Sequence, residues 1–451
     1  MKHPKDSNLP SSNPRQQSLT VSEAERLRNA SDKAHIDPGD IAVGVVIGRS
    51  SEYFDFFVYA IASVLVFPAV FFPDSDPLTG MLKSFLVFPL AFVARPVGTL
   101  LFMAVQTRLG REAKLTAALF LLGSSTAGIA FLPGTESIGV AAVWGLALLR
   151  IGQGIALGGS WDGLPSLLAM NAPENRRGWY AMLGQLGAPV GFALAAGLFA
   201  YLLMALGETE FARWGWRYPF YVAFAINVVA LFARLRLVST DDYVRLLEDR
   251  ALRPTPFTEM ARTQGYNVLL GALAALASYA LFHVVTVFPL SWVKLFTQRS
   301  LVEFLQIQML GCVFAAVGII ASGLIADRLG RRTTLGALAA SIAAFSGFAP
   351  TLLQGGPVGE TGFILIGFTL LGLSYGQAAG AVTANFSPQY RYTGAALTHD
   401  LAWLAGAAFA PVITLGLSAH FGLEYVGLYL LTGAAGSLAA LSVNRALELR
   451  G

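Results

Sequence analysis

Arg49, Glu52, Asp55, Arg95, Arg150 and Asp162 lie in stretches of the chain that are otherwise almost wholly apolar. Three are basic and three acidic, so the set can neutralise itself. A charge at the middle of a bilayer costs roughly 2.5–3.5 kcal/mol on insertion scales, so such residues pair with one another or face water inside the protein. For a carboxylate beside a guanidinium in that setting, the available chemistry is proton exchange. The cation favours the ionised acid and desolvation favours the neutral one, so a change in exposure toggles the charge. Asp55 is the expected proton acceptor, with Glu52 as second candidate. Arg150 is expected to hold it ionised in one state and release it in another. The alternative is a static charge network that locks helices together.

The elements that position these charges are expected to be membrane-spanning helices. Of 451 residues, 55% are hydrophobic and only 13% charged, against about a quarter charged in soluble domains. Stretches of about 20 residues with hardly a charge recur along the chain, long enough for a helix to cross the hydrocarbon core. Lipid allows only spanning elements that pair their own backbone groups, and the alternation of barrel strands is absent. Twelve helices are predicted, at 41–68, 82–106, 114–132, 138–164, 178–204, 217–238, 267–290, 303–326, 333–353, 361–386, 394–418 and 424–444. Residues 1–40 read as a disordered cytoplasmic tail without the pattern of a cleaved signal peptide. A charged linker, 239–266, divides the spans into an N-terminal six-helix bundle (41–238) and a C-terminal one (267–445).

An internal repeat supports that division. RLGRE at Arg108–Glu112 returns as RLGRR at Arg328–Arg332, and APENRRG ending at Gly178 has its counterpart in SPQYRYTG ending at Gly394. The two offsets are nearly equal, as expected of parallel repeats. The predicted fold class is therefore an all-α membrane protein of twelve transmembrane helices in two six-helix bundles. Most of the 31 Lys and Arg fall on the side carrying both termini and the linker, which the positive-inside rule makes cytoplasmic. A net charge of +4 gives no nucleic-acid footprint. The single cysteine, Cys312, offers neither an intramolecular disulfide nor a metal cluster.

With a rise of 1.5 Å per residue, Glu52 and Asp55 lie roughly 16–21 Å into the first span and Arg150 about 18 Å into the fourth, all near the midplane. Arg95 reaches similar depth, and its guanidinium fork suits a carboxylate ligand; the alternative is a pairing with Glu52 or Asp55. Tyr53, Gln153, Trp161 and Gln185 are candidates to line a cavity, or else to make interhelical hydrogen bonds. In the second half the buried polar candidates are His283, Gln377, Asn385, His399 and Asp400, of which Gln377 and His399 are taken as substrate contacts. An unperturbed histidine titrates near neutrality, although a lone one is more often a packing residue. Glycines recurring on the fourth and fifth spans let helices approach closely.

Several motifs occur in order: GRSSEYFDF at Gly48–Phe56, ARPVG at Ala94–Gly98, RIGQGIALGGSWDG at Arg150–Gly163, RRGWYAMLGQLGAPVG ending at Gly191, WGWRYPF at Trp214–Phe220 and GLIADRLGRR at Gly323–Arg332. Through them the chain resembles the major facilitator superfamily, and within it the metabolite:proton symporters that carry citrate, α-ketoglutarate, shikimate, proline or betaine. The resemblance implies a cytoplasmic gate made by Gly323, Asp327, Arg328, Gly330 and Arg331. Asp327 is expected to pair with arginines of its own loop or to accept from a neighbouring helix N-terminus. The chain departs from the group's pattern at Arg49, where Asn is usual, and at Ser160, where Glu is usual. It departs again at Met103 and Thr107, where the first signature loop has Gly and Asp, and at His399-Asp400, where Tyr-Asn is usual. Arg49 and Asp162 are expected to pair with each other as a replacement contact at the gate.

The resulting expectation is a secondary active transporter that couples proton symport to a small carboxylate or zwitterion by alternating access. The same residues are compatible with an exporter or antiporter, or with a non-transporting sensor. No nucleotide loop, metal cluster or catalytic triad is legible, so no enzyme activity and no cofactor are expected, the proton gradient supplying energy. The expected partners are a small-molecule substrate, protons and lipid, with no nucleic acid. The expected state is a monomer in the cell (inner) membrane, with both termini cytoplasmic.

Overall fold

The computed structural model describes residues 38–160, 172–238, 254–384 and 386–443, and all regular structure among them is helical. Nine described stretches are long and apolar enough to cross a membrane. One of these, Pro77–Phe131, is two spans that meet at Gly110. Pro38–Leu65 and Tyr218–Val238 complete the twelve. The tail, most of the linker, Trp161, Asp162 and Asn385 lie outside the described residues.

Helix bounds follow the hydropathy pattern to within about six residues except at the fifth span, which runs on to Arg213 against a predicted end at 204, and at the start of the seventh span. Its helix begins at Phe257, inside the stretch predicted as linker to 266. Pro256 precedes the first turn and Glu259 lies within it, both favourable at a helix start. A helix can extend beyond the hydrocarbon with polar residues, which hydropathy does not detect.

The repeat is visible in the backbone. Gly110 and Gly330 both take positive φ, 88° and 80°, where a side chain would be strained. Each turns the chain between consecutive spans at what is here called the loop face. Within the halves, backbones approach closely: a Cβ on Gly154 would lie 2.1 Å from the Ala91 carbonyl oxygen, and one on Gly372 would lie 2.1 Å from that of Ala315. These contacts bind the second span to the fourth and the eighth to the tenth. Between halves, the fifth span packs on the eighth and the second on the eleventh.

Besides the interruptions at Phe88–Pro89 in the second span and Gly184–Leu186 in the fifth, three described spans are broken. The first is interrupted at Val66, just before Pro68. The seventh is interrupted at Ala275 and Val287, and the eleventh passes through a π-helical turn at Leu404–Ala408 before Pro411. Irregular backbone survives at membrane depth only where protein covers it or where it lines a cavity. Outside the membrane, Asp76 caps Pro77–Val87 by accepting from the Thr79 N–H at 3.0 Å. Hydrogen bonds from the Thr79 side chain and then from its backbone N–H hold the Asp76 carboxyl below the usual range.

Gly154→Ala and Gly372→Ala are each expected to lower the yield of monodisperse protein extracted from membranes, since overpacking costs about 1–3 kcal/mol. Gly336→Ala, whose added methyl meets no atom within 4 Å, is expected to behave as the parent in the same size-exclusion assay. Parental behaviour of the first two would contradict the packing described.

Candidate functional site

Between the halves lies a cavity of about 30 Å³ lined by Arg49, Glu52, Tyr53, Phe56, Phe92, Arg95, Leu157, His399 and Trp403. Small-molecule pockets usually measure about 300–1,000 Å³, so this is a collapsed, closed form of a site. Arg49 donates to Glu52 at 2.8 Å, and Ser160 donates to the other Glu52 oxygen at 3.3 Å. Arg95 Nε stands 2.7 Å from Asp400 Oδ1 of the eleventh span. Its N–H is not aligned on that oxygen, so the contact is a charge pair rather than a directed hydrogen bond. Thr99 donates to the other Asp400 oxygen at 2.5 Å.

His399 is held at both ring nitrogens. Trp403 Nε1 lies 3.1 Å from Nε2, and an indole N–H can only donate. Nε2 is therefore the acceptor, and in the neutral ring Nδ1 carries the hydrogen and donates to Tyr279, 3.0 Å away. The Tyr53 and Tyr375 hydroxyls bond to each other across the halves. An aromatic layer closes the cavity on one side, with Phe92 stacked on Trp403 at 5.6 Å and Phe57 on Phe282 at 5.7 Å.

The predicted meeting of Glu52, Asp55 and Arg150 is not what the structure contains. Glu52 turns to Arg49, a contact inside one helix, and the predicted Arg49–Asp162 pairing lies outside the described residues. Arg95 pairs with Asp400 rather than with Glu52 or Asp55. Asp55 and Arg150 make no direct ion pair. Arg150 donates to Gln153 at 3.0 Å, Gln153 to Thr126 at 2.9 Å, and Thr126 to Asp55 at 2.7 Å. Asn227 also reaches Asp55, at 3.4 Å. The Arg150 guanidinium lies 3.7 Å from the centre of the Tyr59 ring and donates to the Phe88 carbonyl at 3.3 Å. The reason is helical phase. Glu52 and Asp55 are one turn apart along their helix but face different neighbours, Asp55 the interior of its own bundle and Glu52 the boundary between bundles. Gln153 belongs to the Asp55 relay and does not line the cavity. Gln185 is buried outside the lining.

Closures lie on both sides of the cavity. At the loop face, Asp327 accepts the N–H of Gly178 at 2.6 Å and of Trp179 at 3.2 Å. It thus caps the fifth span from the eighth, the helix-terminus alternative among the sequence expectations. Gln377 donates to the Gly178 carbonyl at 3.2 Å, so it belongs to this closure and not to the cavity wall. Arg331 reaches the Arg177 carbonyl at 3.4 Å. A Cβ on Gly323 would stand 3.1 Å from Trp179 Cα, so the glycine permits the approach. Arg328 is exposed.

The other loop of the repeat has Thr107 where Asp327 would stand. There Lys114 donates to Tyr392 at 2.9 Å and to Gln106 at 3.2 Å, and so joins the halves. At the opposite face, Lys294 donates to the Val64 and Leu65 carbonyls at 2.9 and 2.8 Å. Pro68 has no N–H to offer Val64, and Lys294 of the other half supplies the missing donor.

Sequence reading missed Lys114, Lys294, Thr126 and Asn227 and did not place Asp400 on Arg95. Two signals were present. Pro68 leaves a carbonyl needing a donor, and Asp400 is an acid in an apolar stretch of the second half, which held no obvious cation to match it.

The sequence profile described as Major Facilitator Superfamily matches residues 57–411. An inner membrane metabolite transport protein, YhjE, of Escherichia coli (strain K12) is 37% identical, over 89% of this chain and 92% of the relative. The shikimate transporter of the same organism is 29% identical over 95% and 96%. Among solved structures, that of a D-xylose-proton symporter superposes with a TM-score of 0.68 at 19% identity, covering 89% of this chain and 96% of that one.

The loop-face closure can be tested at its carboxylate. In a Cys312→Ser background, Ser322→Cys places a thiol beside Gln377. Adding Asp327→Ala removes two charge-assisted hydrogen bonds, each worth about 1.5–3 kcal/mol. Alkylation by N-ethylmaleimide is expected to accelerate about tenfold or more on that scale. An unchanged rate would show that Asp327 does not hold this face shut.

Proposed function

The chain belongs to the Major Facilitator Superfamily and is a membrane transporter, not an enzyme, and from that premise we propose that it is a proton-coupled symporter of a small carboxylate or zwitterion. It works by alternating access in the inner membrane, with the loop face and both termini cytoplasmic. The observation that carries this reading is the charged cavity between two halves that are joined on both sides of it. Guanidinium groups of Arg49 and Arg95 reach that cavity between aromatic walls, a combination suited to an anionic group on a compact carbon frame. Tyr53 and His399 line the substrate. Asp327, Gly323, Gly330, Arg328, Arg331, Arg49 and Asp162 belong to the cytoplasmic gate.

Asp55 is the proton acceptor. Its distance from the cavity separates proton from substrate, and its link to Arg150 runs through Gln153 and Thr126, two side chains that can rotate. When the halves rock, a direct approach of Arg150 favours the ionised acid, and its withdrawal behind the relay favours the neutral acid. Glu52, already paired with Arg49 and Ser160, shapes the charge of the cavity.

Purified protein in proteoliposomes is expected to accumulate radiolabelled shikimate, proline or glycine betaine when the outside is acidic, and to lose accumulation on addition of a protonophore. Asp55→Asn is expected to abolish gradient-driven accumulation while leaving exchange of the same compound across the membrane. Accumulation by Asp55→Asn at the parental level would remove Asp55 from the coupling. Accumulation insensitive to the protonophore would overturn symport.

A further inference from the structure

The Arg95–Asp400 pair joins the second span to the eleventh, beside the cavity, and it departs from the motif pattern read in the sequence. Asp400 is 4% exposed at its side chain and Arg95 11%. Two features distinguish the pair from a structural salt bridge. The buried Arg95 Nε–H misses Asp400 Oδ1 although the atoms are 2.7 Å apart. Guanidinium and carboxylate bind most strongly through two parallel N–H···O bonds, and that fork is not formed here. Moreover, Arg95 lines the cavity while Asp400 approaches from the side and is anchored separately by Thr99. The arginine is thus held by a carboxylate that its geometry does not fully satisfy.

We propose that Asp400 is a built-in stand-in for the substrate's carboxylate: it occupies Arg95 in the closed state, and an incoming carboxylate takes the Arg95 fork as Asp400 releases it and is protonated. This rests on the carboxylate reading of the cavity given above and adds a residue, an order of events and a proton. Two carboxylates sharing one guanidinium are stable in a buried site only when one is neutral. The proton comes from the water that admits the substrate and stays on an Asp400 oxygen. The change is Arg95⁺·Asp400⁻ plus RCOO⁻ and H⁺ giving Arg95⁺·RCOO⁻ plus neutral Asp400, so charge is conserved within the site. This proton is separate from any taken by Asp55.

The other groups around Asp400 do not replace that proton. Arg49 on the first span is already engaged by Glu52, and Tyr53 on the same span is bonded to Tyr375 of the tenth. Tyr279 on the seventh span accepts from His399. His399, on Asp400's own helix, already has both nitrogens in use. Thr99 supplies only a hydroxyl. The exchange also weakens the closure, because it leaves the Thr99 hydrogen bond, without the Arg95 charge pair, to hold Asp400 to the second span.

Acetate serves as a minimal carboxylate probe that needs no knowledge of the transported compound. Asp400→Ala leaves Arg95 without its stand-in, so acetate is expected to raise the midpoint of thermal unfolding in a concentration-dependent way, as any ligand of the folded state does. Chloride at equal ionic strength is expected to have no such effect, and Asp400→Ala with Arg95→Gln is expected to lose it. Asp400→Asn keeps the side-chain size and provides the same test if the alanine variant does not fold. Wild-type protein is expected to respond to acetate at mildly acidic pH and to lose the response at mildly alkaline pH. Asp400→Asn is expected to respond equally at both.

Two results would each overturn the proposal: acetate without effect on both Asp400 variants, or a wild-type pH dependence that persists in Asp400→Asn. Failure of the symport reading would look different. Shikimate, proline and betaine would then not accumulate in proteoliposomes, while the acetate response still followed Asp400 and Arg95.

Discussion

A charge inside a membrane protein must find its counter-charge within the protein, because lipid offers none. In this chain that constraint links the two halves. Arg95 of the first half is matched by Asp400 of the second. The N–H groups opening the fifth span are matched by Asp327 of the eighth. Carbonyls left without donors near Pro68 are matched by Lys294 of the seventh. Removing one member of such a pair leaves the other buried and uncompensated, which is far more costly than the pair is stabilising. Opening either face therefore requires a replacement partner, and water, a proton or a bound anion can each serve. The contacts that close the protein are for that reason also the contacts a ligand can control.

The remainder of the fold lets those contacts form and break. Glycines bring the second and fourth spans, and the eighth and tenth, into backbone contact, so each half can move as a unit. Irregular turns interrupt the first, second, fifth, seventh and eleventh spans, of which the first, second and eleventh border the cavity. A π-helical turn begins directly after Trp403, within a few residues of His399 and Asp400. Bulges of this kind occur often at functional sites, and here the turn directly follows the helix that presents both side chains.

Architecture was largely legible in the sequence because hydropathy, turn glycines and a repeated RLG motif are local signals. The matching positive φ of Gly110 and Gly330 is the structural form of that repeat. The location of charges was legible too, but their pairing was not. Glu52 and Asp55 lie three residues apart, and depth alone places both near Arg150. Only the packing of neighbouring helices decides that one faces Arg49 and the other Thr126. Asp400 illustrates the same limit across a longer distance. Its partner is about three hundred residues away in sequence, and charge counting within one half balanced without it. Lys294 was concealed for a different reason, since it bonds backbone carbonyls and leaves no complementary side chain to look for.

The central claim is that charge contacts between the halves hold the closed state, and a distance across the loop face tests it most directly. Arg108 and Arg328 are exposed, one in each half. Spin labels at Arg108→Cys and Arg328→Cys, in a Cys312→Ser background, report the separation of the halves by double electron–electron resonance. The account expects one narrow short distance in otherwise wild-type protein, and a second, longer population when Arg95→Gln and Asp400→Asn are introduced together. An unaltered distribution in that variant would contradict it, because the halves would then be held closed by something other than their charges.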